Sequence, residues 1–75
     1  MSKEIKECAA ELRKIRQDKG VSLNLMADYC GIGKSDLSKY ERGHKQPKLE
    51  TLDKMANALG RKVSISLHQT LVEID

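Results

Sequence analysis

The sequence predicts a mainly α fold, four short helices followed by a C-terminal β-strand. Three observations carry this. Apolar residues recur at three- and four-residue steps, glycines stand at the ends of those runs (20, 31, 43 and 60), and the period drops to two near residue 63.

The first helix is expected over about residues 3 to 18, where Ile5, Cys8, Ala9, Leu12 and Ile15 form one face. Ser2 can cap its start and Gly20 lies just past its end. Ser22 caps a shorter second helix whose inward stripe is Met26, Ala27 and Cys30, and Gly31 ends it. Ile32 anchors the turn. A third helix, from about Lys34 to Glu41, turns Leu37 and Tyr40 inward, and Gly43 stops it. The polar loop "HKQP" leads into a fourth helix at about 48 to 59, with Leu49, Leu52, Met55, Ala56 and Leu59 on one face and Gly60 beyond. Then "RKVSISLH" alternates Val63, Ser64, Ile65, Ser66, Leu67 and His68 as a half-buried strand does. Its backbone needs a neighbour, and "LVEID" offers Val72 and Ile74 for a second strand in the opposite phase.

Seventy-five residues bound one small domain. Residues 1–60 are expected to form the helical unit, and 61–75 a strand and tail that belong to the same domain or to a dimer interface. With no Phe and no Trp, the core falls to Leu, Ile, Val, Met and Ala, a shortage that dimerisation commonly remedies. The formal net charge is +3, and it is concentrated: residues 31–48 hold five basic and two acidic groups. Such a patch favours an acidic partner, most commonly nucleic acid. No apolar run approaches a membrane span and "MSKEIKECAAELRK" is not a signal peptide, so a cytoplasmic protein is expected, with no membrane partner. Cys8 and Cys30 occupy apolar positions without any CxxC, which reads as two buried reduced thiols, with a structural disulfide or a redox switch as the alternatives. His44 and His68 have no nucleophile or ligand cluster around them, so no enzyme, cofactor or metal is implied.

The stretch "GIGKSDLSKYERG" carries the functional signal. Two helices joined by a glycine-containing turn form a helix-turn-helix, whose second helix enters the DNA major groove. This accounts for a short helix so rich in polar groups. Leu37 and Tyr40 fix its inner side, leaving Lys34, Ser35, Ser38 and Lys39 to face base edges. Lysine donates to guanine O6 and N7, and serine to several edges.

Residues 12 to 60 resemble the Xre/Cro family of phage-repressor-type helix-turn-helix proteins, on Met26-Ala27, Gly31, Ser38, Glu41-Arg42-Gly43 and Pro47 at matching intervals. The resemblance implies a transcriptional repressor on double-stranded DNA with a palindromic operator. It also implies a pair between Arg16 and Glu41 that braces the recognition helix, and phosphate contacts from Arg42, His44, Lys45 and Lys48. Phosphate contacts position a protein without reading sequence.

Three positions depart from the family pattern. Leu23 stands where a glutamine often clamps a phosphate, Leu25 where a polar residue is usual, and Gly33 where serine or threonine usually caps. Leu23 and Leu25 add apolar surface that either meets a protein partner or is ordinary scattered leucine. Asp36 either accepts from a cytosine amino group or caps its helix.

The strand after the helices, in "ALGRKVSISL", is similar to that of HipB-type antitoxins, small Xre-fold repressors. That likeness implies a homodimer whose strands pair across the two-fold axis, with Val63, Ile65 and Leu67 at the interface, and a toxin protein as partner. The alternatives are a phage or mobile-element repressor without a toxin, and a protein-interaction module in which DNA binding is secondary.

Overall fold

The computed structural model describes residues 3–65 and 71–74. Four helices are present: α1 (Ile5–Asp18), α2 (Leu23–Cys30), α3 (Lys34–Arg42) and α4 (Leu49–Ala58). Three short strands accompany them: β1 (Lys3–Glu4), β2 (Val63–Ile65) and β3 (Leu71–Ile74).

Helix α1 packs on α3 and α4, and α2 packs on the same two helices. Between them Cys8, Leu12, Met26, Leu37, Leu52 and Met55 are fully buried, with Pro47. The cysteines are both free and buried. A core of aliphatic, thioether and small side chains thus fills the space that aromatic rings would take in a larger domain.

Helix ends follow local chemistry. The Ser22 hydroxyl accepts from the Leu25 backbone N–H at 3.1 Å, capping α2. At the other end Gly31 adopts φ +67°, and the Ile32 N–H reaches back to the Ala27 carbonyl while the Gly31 N–H reaches Asp28. This pairing satisfies two carbonyls that the helix leaves over, at a φ that side chains with a Cβ resist. The same pair of bonds closes α1, α3 and α4.

The first residues differ from expectation. Lys3 and Glu4 are extended, and Glu4, without a side-chain bond, takes the cap position of α1; Ser2 lies outside the described residues.

The sheet order is β1-β3-β2, antiparallel throughout, with Lys3 opposite Val72 and Val63 opposite Ile74. The segment at 71–74 is therefore a strand, and it supplies β2 with a pairing edge in its own chain. That edge of β2 therefore needs no strand from a second chain. Val63 and Ile74 are also half-buried against the helical core, β2 lying on α4 and β3 on α1, so Val63 finds cover within its own chain. Ile65 sits opposite Val72, and Leu67 lies outside the described residues. With β3 in the centre, the outer edge of β2 has no strand beside it among the described residues.

Candidate nucleic-acid interface

Helix α3 is fixed from behind. Leu37 is fully buried, and Tyr40 packs against the core at partial exposure. At its C-terminal end Glu41, only 3% exposed, receives two bonds from Arg16 of α1: Nε to Oε2 at 2.8 Å and Nη2 to Oε1 at 3.0 Å. The remaining arm, Nη1, donates to the Val21 carbonyl at 2.8 Å. One guanidinium thus ties the end of α1, the α1–α2 loop and the end of α3 together, using the rigid fork that lysine lacks. The buried carboxylate has a charge partner and hydrogen bonds on both oxygens, which is what keeps an ion tolerable in a core.

The outer side of α3 faces an open groove lined by Lys34, Ser35, Ser38, Lys39, Arg42 and Leu23. All four expected base-reading residues therefore lie on one surface, Lys34, Ser35 and Lys39 exposed and Ser38 half-exposed. Arg42 joins them rather than lying out along the loop.

The other expected phosphate residues are dispersed. His44 is exposed after α3, and Lys48 is exposed at the cap of α4. Lys45 turns back: its Nζ lies 3.7 Å from Asp36 Oδ1 and 5.6 Å from the centre of the Tyr40 ring. Both ends of that ion pair are about half exposed, so its worth is modest and it can open to a phosphate. Asp36 stands in the first turn of α3, where its charge also complements the helix N-terminus.

Two residues carry more than the sequence suggested. Leu23 is not a free surface leucine: it is half-buried against the core and forms a wall of the groove. Tyr29 is 68% exposed, one turn from the exposed Leu25 on α2. Their four-residue spacing was the available signal.

Behind the turn, Cys30 is buried with its Sγ 3.7 Å from the Lys54 carbonyl. Burial above all, and the nearby Glu41 carboxylate, push its thiol pKa up, with Lys54 opposing.

Residues 12–65 match the helix-turn-helix family HTH_3. Over 64 residues, 85% of the chain, it is 41% identical to a prophage-derived HTH-type transcriptional regulator of Bacillus subtilis, YonR. It is 28% identical over 67 residues, 89% of the chain, to RstR, a cryptic-phage transcriptional repressor of Vibrio cholerae. It is 36% identical over 64 residues to the HTH-type transcriptional regulator DdrOP3 of Deinococcus deserti. These matches cover 59%, 60% and 46% of the three relatives' own lengths. No solved structure matches the chain at the same stringency. With the family pattern spanning most of the chain, the protein belongs to the helix-turn-helix family, in its Xre/Cro branch.

Proposed function

We propose that this protein is a sequence-specific DNA-binding transcriptional repressor that acts as a homodimer on a palindromic operator. One observation carries the reading. The outer face of α3 gathers Lys34, Ser35, Ser38, Lys39 and Arg42 around a single groove, on a helix held from behind by Arg16 and Glu41. Cationic and hydroxyl donors on one firmly held helix match the acceptor-rich edge of the major groove.

A palindrome needs two such helices, roughly 34–36 Å apart, and hence two subunits. The open edge of β2 is the surface suited to pair with a twin strand, which would continue the sheet across the axis. Working on DNA places the protein in the cytoplasm, where its buried thiols stay reduced.

The setting we favour is a phage or mobile-element repressor. The names of two relatives, a prophage-derived regulator and a cryptic-phage repressor, support it. The antitoxin setting, with a toxin as partner, rests on the likeness of "ALGRKVSISL" to the HipB-type strand, and the names of these relatives do not point to it.

Selection from a random-sequence duplex pool tests the function. An inverted repeat with half-sites about one helical turn apart is the expected product. A pool that shows no enrichment after repeated rounds would overturn the proposal.

A further inference from the structure

Leu23 is the apolar member of a groove otherwise lined by Lys34, Ser35, Ser38, Lys39 and Arg42. It opens α2, directly after the Ser22 cap, and is half-buried: part of its side chain packs on the core and the rest faces the groove. An isobutyl group cannot donate to a phosphate. When the groove closes over DNA, the exposed part of Leu23 must leave water, and it gains only if it meets something apolar. The major-groove edge of a base pair presents one such group, the C5-methyl of thymine. The neighbours Lys34 and Ser35, on the adjoining first turn of α3, supply donors suited to acceptors beside it.

Building on the DNA-reading function, we propose that Leu23 is a specificity-determining residue that contacts a thymine methyl in each half-site, next to the acceptors read by α3. The contact selects thymine over cytosine at that position, because cytosine presents an amino donor and no methyl there.

The test uses the duplex enriched from the random pool, with each thymine replaced singly by deoxyuridine, which deletes the methyl and nothing else. The wild type should lose about fourfold in affinity at one thymine per half-site, the value expected for one buried methyl-sized group, and little elsewhere. Leu23→Ala and Leu23→Gln, checked for native melting, should bind the thymine and deoxyuridine duplexes equally at that position. Lys34→Ala should keep the deoxyuridine penalty while losing affinity overall. A wild type indifferent to every deoxyuridine overturns the contact, whether or not the variants fold, and leaves the DNA-reading function standing. A penalty that persists in both Leu23 variants also overturns it, since the methyl then meets another side chain. A pool without any enriched duplex removes the function and this contact together.

Discussion

Arg16 and Glu41 meet fork to fork, Nε to Oε2 at 2.8 Å and Nη2 to Oε1 at 3.0 Å, across twenty-five residues of chain. Their side chains are only 10% and 2% exposed. Glu41→Ala leaves the guanidinium buried without its counter-charge, a loss of about 3–5 kcal/mol. In a domain of this size that is a large part of the total stability, so the melting temperature should collapse. Arg16→Lys, which keeps the charge but not the fork, should fall between. Thermal melts followed by circular dichroism decide. If Glu41→Ala melted like the wild type yet lost DNA affinity, the residue would be a DNA contact and not a brace.

The lysines of the groove should differ in kind from Lys45. Lys34→Ala and Lys39→Ala should weaken binding to the enriched duplex more than to random DNA. Lys45→Ala should weaken both alike and flatten the salt dependence by about one unit of slope. Binding isotherms of the three variants on both DNAs across a salt series measure this. Equal losses on both DNAs for all three would dissolve the distinction.

Subunit pairing should depend on the outer edge of β2. Ile65→Pro removes a backbone donor from the strand, and Ser64→Lys places two like charges near the two-fold axis from an exposed position. Sedimentation should find both variants shifted to monomer, with helical content kept and operator affinity sharply reduced. Dimers that survive both changes would place the interface on the helices.

Cys30 gives a pH signature. Its thiol pKa is raised in the fold above the ordinary 9.0, chiefly by burial. A group with a raised folded pKa contributes stability that is complete below the unfolded value and lost as pH rises through the folded one. The melting temperature of the wild type should therefore decline more steeply above about pH 9 than that of Cys30→Ala. Parallel slopes for the two proteins would remove the thiol from the account.

The helices were legible because their information is local. Apolar spacing marks the faces of α1 and α4, Ser22 announces α2, and a glycine stands just past each helix. The brace was not legible from periodicity, since Arg16 and Glu41 are far apart in sequence; the family resemblance supplied it. Strand β1 carries no signal of its own. Lys3 and Glu4 are charged, run straight into a helical pattern, and are extended only because β3 pairs with them. At the interface, residue type named Lys34, Ser35, Ser38 and Lys39, but the turn of Lys45 toward Asp36 and the place of Leu23 in the groove depend on how α2 and α3 are packed.

Lys3 and Val72 face each other across β1 and β3, sixty-nine positions apart along the chain. Closing so long a loop costs more entropy than the shorter closures that bring the helices together. The helical unit is therefore the early-forming part, and the sheet is a clasp fastened afterwards. The same order runs in reverse under native conditions, where the clasp should release before the core does. Amide protons of residues 3–4 and 71–74 should exchange at a lower opening free energy than those of α1 and α4. A chain folding in this order can present its recognition helix before its last strand has found its place.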